Sequence, residues 1–290
     1  MNSVLTRLLV AAAICCAATS VFFAQARGRG AANASAKTAA PVDLTGYWVS
    51  VVSEDWRHRI ETPKHGDYES VPLNQAGIRA ADTWDLEKDN AAGLQCKAFG
   101  VGGLMRQPTR LHITWQDDNT LKMDFDAGTQ TRLMNFDASK QPSGEKTWQG
   151  FSRAQWEGPG VGRGAAAVRA QIGNSSGPIA PGGGGRGQRG GPALAESISR
   201  GGSLKVVTTN FKEGYLRKNG VPYSDAASIT EYIHRLPSDP GADVWLLVIT
   251  VVEDPKYLSQ PFYTSTQFKL EADGSKWSPT PCKTAAPPKG

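Results

Sequence analysis

The stretch Arg110 to Phe125, RLHITWQDDNTLKMDF, alternates apolar and polar residues twice over. Leu111, Ile113 and Trp115 fall on one side of an extended chain, and Arg110, His112 and Thr114 on the other. Asp117-Asp118-Asn119 supplies a turn, after which Leu121, Met123 and Phe125 alternate with Lys122 and Asp124. Successive side chains of an extended backbone point to opposite faces, so this period of two predicts strands. Two such runs across a short Asp/Asn turn predict an antiparallel hairpin with one buried face.

Working outward, the same pattern recurs. Trp148 to Trp156, Leu204 to Phe211, Ser228 to Arg235 and Phe262 to Leu270 read as strands. Val244 to Val252 (VWLLVITVV) is apolar or β-branched throughout, which predicts a strand buried on both faces or nearly so. Asn219-Gly220, Ser238 to Gly241 and Glu253-Asp254-Pro255 read as turns between them. One helix is predicted, Asn74 to Asp85, where Ile78, Ala81 and Trp84 have loose helical spacing. The expected fold is therefore all-β, an antiparallel barrel or sandwich with one short helix.

The chain has 290 residues, of which 39% are hydrophobic and 20% charged, a globular rather than a disordered composition. Its net charge of +5 does not describe the folded part. Residues 1–40 and residues 158–202 each carry +4, which leaves the other 205 residues at −3. The basic net charge therefore gives no support for a nucleic-acid-binding core, and no nucleic-acid partner is expected. Residues 158–202 hold 15 of the 32 glycines and cannot bury enough apolar surface to offset their ordering entropy. They predict a disordered Gly/Arg-rich insertion, with the strands on either side still paired. Its arginines suit weak contact with anionic envelope polymers or lipids; a plain spacer is the alternative.

The N-terminus reads as an export signal over residues 1–26. Arg7 is the positive start, Leu8 to Phe23 the apolar stretch, and Ala24-Gln25-Ala26 a small-x-small cleavage site. Ile14 stands before Cys15, where a lipoprotein signal has a small residue. Residues 27–40 read as a flexible tether and 41–290 as a single domain. A periplasmic or extracellular location follows. Removal of the signal leaves Cys96 and Cys282, which predict one disulfide, the alternative being two buried thiols. Closing so long a loop contributes on the order of 4 kcal/mol.

Leu44-Thr45-Gly46-Tyr47-Trp48, at the start of the first strand, resembles the Gly-x-Trp signature of lipocalins and other calycin barrels. The resemblance implies an up-and-down barrel closed at its base by the Trp. A second likeness runs through Cys96 to Gly100, Met105 to Pro108, Trp148 to Ser152, Gln155 to Gly158, Leu204 to Thr209, Gly220 to Ser224 and Val252 to Pro255. In that order these segments resemble a group of uncharacterised exported bacterial β-rich proteins. The likeness implies export and one β domain, and it brings no catalytic residues.

Extending the first strand to His58 puts Trp48, Glu54, Trp56 and His58 on one face. If Trp48 points inward, a carboxylate, an indole and an imidazole share the cavity. Trp48, Glu54, Trp56, His58, His112 and Trp115 are thus the candidate ligand-binding residues for a small, partly apolar molecule. Glu54 with His58 or His112 is the acid–base pair if the cavity is catalytic. A solvated strand end, or an envelope interaction protein with no small ligand, are the remaining alternatives. No cofactor is expected. The four histidines lack the spacing of a preformed metal pair, so no metal site is assigned. Gly150-Phe151-Ser152-Arg153-Ala154 lacks both the final glycine and the strand–turn–helix setting of a nucleophile elbow.

Overall fold

A computed structural model describes residues 34–158, 202–236 and 238–288. The expected signal, residues 27–33 of the tether and insertion residues 159–201 lie outside the described residues. Strand β1 (Gly46–Val51) leads into four short helices, α1 (Trp56–Ile60), α2 (Gln75–Asp82), α3 (Leu86–Ala91) and α4 (Val101–Leu104). The strands follow: β2 (Arg110–Asp117), β3 (Thr120–Phe125), β4 (Gln130–Asn135), β5 (Phe151–Glu157), β6 (Ser203–Thr209), β7 (Gly214–Tyr215), β8 (Pro222–Tyr223), β9 (Ser228–Arg235), β10 (Trp245–Glu253) and β11 (Phe262–Glu271).

Nine strands close a barrel in the order β1-β11-β10-β9-β6-β5-β4-β3-β2, with β2 returning to β1. The fold is thus an all-β barrel. Closure gives every strand of the barrel a neighbour on both sides, which protects sheet edges from recruiting another chain. Neighbours are antiparallel except β4 and β5, which pair in parallel through Met134 opposite Ser152. Strands β5 and β6 flank the insertion and pair to their ends, Glu157 opposite Ser203. Strands β7 and β8 form a separate two-stranded ribbon.

Three expectations are refined by the structure. Strand β10 is nearly buried on both faces: Leu246, Val248, Thr250 and Val252 point in, while their neighbours from Trp245 to Val251 are half-buried. The helix seen from spacing exists, capped by the Asn74 side chain, which accepts from the Ala76 and Gly77 amides. Three further short helices accompany it, too brief to show a period in sequence. Residues 35–40, expected as tether, dock on one end of the barrel. There the Ala36 carbonyl accepts from Trp156 Nε1 at 2.8 Å and the Lys37 amide donates to the Asp118 carbonyl.

The barrel interior is filled. Trp48, Leu111, Ile113, Met123, Leu246 and Phe268 are completely buried, with no space beside them for a water molecule. Trp48 donates from Nε1 to the Leu44 carbonyl at 3.1 Å and plugs this end of the core. A polar layer crosses the interior. Arg132 on β4 pairs with Glu231 on β9, both fully buried, and reaches Thr208, which is bonded to Ser152. A second apolar cluster, built on Val101, Phe211, Leu216, Val221, Tyr223 and Ile229, joins the ribbon and α4 to the barrel. Cys96 and Cys282 form the disulfide, Cα atoms 5.1 Å apart. Among the described residues no helix is long and apolar enough to cross a membrane.

Candidate functional site

The first strand ends at Val51, earlier than alternation suggests. Asp55 adopts left-handed φ and ψ (49°, 29°), and its carbonyl accepts from the His58 and Arg59 amides, which starts α1. A helix turns by about 100° per residue, so Glu54, Trp56 and His58 no longer share a face. Trp56 and Ile60 point to solvent, whereas Arg59 is only 2% exposed.

The structure therefore separates the six candidates. Trp48 lies in the solid core rather than in a cavity. Trp56 is on the outer surface. His112 faces outward on β2, stacked on Tyr47 with ring centroids 4.0 Å apart. Trp115 belongs to a cluster with Phe136 and Trp156 at the end of the barrel near the start of β1. Trp115 and Trp156 line an open cleft of about 640 Å³, together with Val42, Leu44 and Leu121. Glu54 accepts from Ser265 Oγ at 2.6 Å and from Gln267 Nε2. Among the described residues no hydrogen bond joins Glu54 to His58 or His112, so the expected acid–base pair is not assembled.

At the opposite end, His58 joins residues the sequence did not single out. His58, Arg59, Arg106, Gln107, Leu216, Arg217, Lys218 and Phe262 line a cleft floored by about 10 Å³, room for one water-sized group. Arg106 sits just after α4; it donates from Nη1 to the Ser265 carbonyl at 2.8 Å and pairs with Asp55. Arg59 donates from Nε to the Arg106 carbonyl at 3.0 Å, but its Nη2 is buried with no partner. Lys218 donates from Nζ to the Arg59 and Ile60 carbonyls. Arg217 lies in the turn between β7 and β8 and is 8% exposed. Among the described residues its side chain has no hydrogen-bond or ion-pair partner, and its Nη1 is buried and orphaned.

The electrostatics agree with this geometry. Burial, and then the nearby Arg106 charge, push the Arg59 guanidinium down to about 10. Burial first also lowers Arg106 and Arg217, against the pull of Asp55 on both. Lys218 is lowered by burial. His58 is held below the ordinary histidine value by burial and then by Arg217. Its Nδ1 is a third buried atom without a partner. Its Nε2 stands 3.5 Å from Asp67.

His58, Asp67 and Glu69 offer ligand atoms close enough to surround one cation. Arg57 already bonds both carboxylates, at 3.4 and 3.1 Å, so the two acids have a cation of their own. The charged run at 54–59 was visible in sequence, but Arg106 and Arg217 were not. Their only local sign is a basic residue beside apolar ones, Met105 and Leu216 respectively, in segments otherwise read as connections. Compared with protein-family models, curated proteins and solved structures, the chain has no match.

Proposed function

We propose that the chain is an exported binding protein for a small anionic molecule, received at the barrel mouth by Arg59, Arg106, Arg217 and His58. One observation carries the reading: Arg217 is 8% exposed and its Nη1 is buried, and among the described residues its side chain makes no hydrogen bond or ion pair, the carboxylates of Asp55, Asp67 and Glu69 acting on it only from beyond contact. Leaving such a group unpaired costs several kcal/mol, and an oxyanion is the partner that removes the cost. Guanidinium donors match carboxylate, phosphate and sulfate oxygens in geometry as well as charge. The orphaned Arg59 Nη2 and His58 Nδ1 line the same cleft and add donors. The Cys96–Cys282 disulfide supports export, since such bonds persist in oxidising compartments.

A closed barrel with a buried aromatic cluster is compatible with ligand binding in general. A second reading places an apolar ligand in the Trp115–Trp156 cleft, favoured by its size of about 640 Å³. Thermal unfolding separates the two. At constant ionic strength, phosphate at about 100 times its Kd stabilises the folded state by about 2.7 kcal/mol, and Arg217→Gln removes the effect. An unfolding temperature indifferent to phosphate, or equally responsive in Arg217→Gln, would sink the anion site and leave the aromatic cleft.

A further inference from the structure

Helix α1 is inside out. Arg59 is 2% exposed and His58 is largely buried, whereas Trp56 is 62% and Ile60 56% exposed. Helices on globular surfaces bury the apolar side and solvate the charged one. Residues four apart lie on one helix face, so Trp56 and Ile60 form a single apolar ridge beside the arginine cleft. The cleft floor admits only one water-sized group, so most of any larger ligand lies outside it. Phe262 in the cleft wall adds apolar surface at the rim.

Resting on the anion-binding reading, we infer that the ligand is an anionic amphiphile: its carboxylate, phosphate or sulfate head meets Arg59, Arg217 and His58, and its apolar tail covers Trp56 and Ile60. The ligand is a single molecule taken from solution rather than a lipid in a bilayer. Glu61, Asp67 and Glu69 surround the same mouth. These carboxylates repel an anionic membrane surface, whereas one acidic head passes between them to the arginines.

The test compares inorganic phosphate with octyl phosphate below its micelle-forming concentration. Burial of a few methylenes, each worth about 0.8 kcal/mol, makes octyl phosphate at least about tenfold tighter. Tryptophan emission shifts to the blue as the tail covers Trp56. In Trp56→Ala the affinity ratio of the two ligands falls toward one, and the emission shift disappears. Because Trp56 is exposed, that variant folds. Equal affinities in the wild-type protein, or an unchanged ratio in Trp56→Ala, would overturn the inference while leaving the anion site standing. So would co-sedimentation with phosphatidylglycerol vesicles in the absence of monomeric octyl phosphate binding. Failure of both phosphate and octyl phosphate to bind would instead remove the underlying anion site.

Discussion

A buried guanidinium that no carboxylate contacts makes neighbouring positive charges harder to hold. His58 is the group at the mouth that gives way, because it loses its charge near neutral pH. Burial first, and then Arg217 and Arg57, disfavour the imidazolium, and Asp67, 3.5 Å from Nε2, favours it without reversing the balance. The folded state therefore takes up the His58 proton less readily than the unfolded chain does. The stability contributed by neutral His58 is present above about pH 6.5 and is lost as pH falls below it. An anion on Nδ1 reverses the preference, so its binding takes up a proton. Sulfate, whose own charge is constant over this range, should raise the unfolding temperature more at about pH 5.5 than at about pH 8. The difference should shrink in His58→Gln. A sulfate effect independent of pH in the wild-type protein would contradict this role for His58. The Glu54 carboxylate is already occupied by Ser265 and Gln267.

At the scale of elements, the site depends on two turns. One is the left-handed Asp55, which ends β1 and starts α1. The other is Arg217 to Gly220 in the ribbon connection, where the Gly220 amide returns to the Arg217 carbonyl. Gly220 has φ +82°, and a Cβ there would stand 2.1 Å from Trp84 Cγ. Gly220→Ala should therefore destabilise the protein by about 1–3 kcal/mol from backbone conformation alone, with the clash adding to it. It should also weaken anion binding, though residue 220 touches no ligand. Denaturant unfolding together with a binding titration checks both effects, and a variant as stable as wild type would refute the argument. This is also the scale at which the sequence was most and least readable. Strand β9, Ser228–Arg235, and the β2–β3 hairpin were legible because alternation over several residues reports a half-buried strand directly. The end of β1 was not, since no glycine, proline or turn dipeptide stands between Val51 and His58 and the break lies in one backbone angle at Asp55. The mouth was hidden for a different reason. Arg59, Arg106 and Arg217 come from three separate connections, brought together by the barrel and its ribbon, and no spacing in the chain marks a long-range meeting of that kind.

For the whole molecule, the closed barrel supplies a rigid frame and leaves little room for a ligand inside it. Its interior is mainly apolar and is crossed by the charged layer at Arg132 and Glu231. Removing one partner of a fully buried pair exposes the other charge to the core, so Glu231→Ala should cost about 3–5 kcal/mol in urea unfolding. Loss of less than about 1 kcal/mol would mean that Arg132 is not dependent on Glu231. The Cys96–Cys282 bond ties the segment before α4 to the chain beyond β11 across a separation of 186 residues. Cys282→Ser should lower stability by an amount on the order of 4 kcal/mol. Strands β5 and β6 are paired up to Glu157 and Ser203, so replacing residues 160–200 by a short Gly-Ser link should leave the barrel and its anion affinity intact. What the frame positions is the cationic mouth, and the central claim is that Arg217 is there to meet an anion. Titration calorimetry of phosphate into the wild-type protein and into Arg217→Gln, at one ionic strength, tests it most directly. The account predicts one saturable site in the wild type and at least about a tenfold loss of affinity in the variant, the worth of one charge-assisted hydrogen bond. Saturable binding of equal strength in both proteins, or none in the wild type at millimolar phosphate, would contradict it.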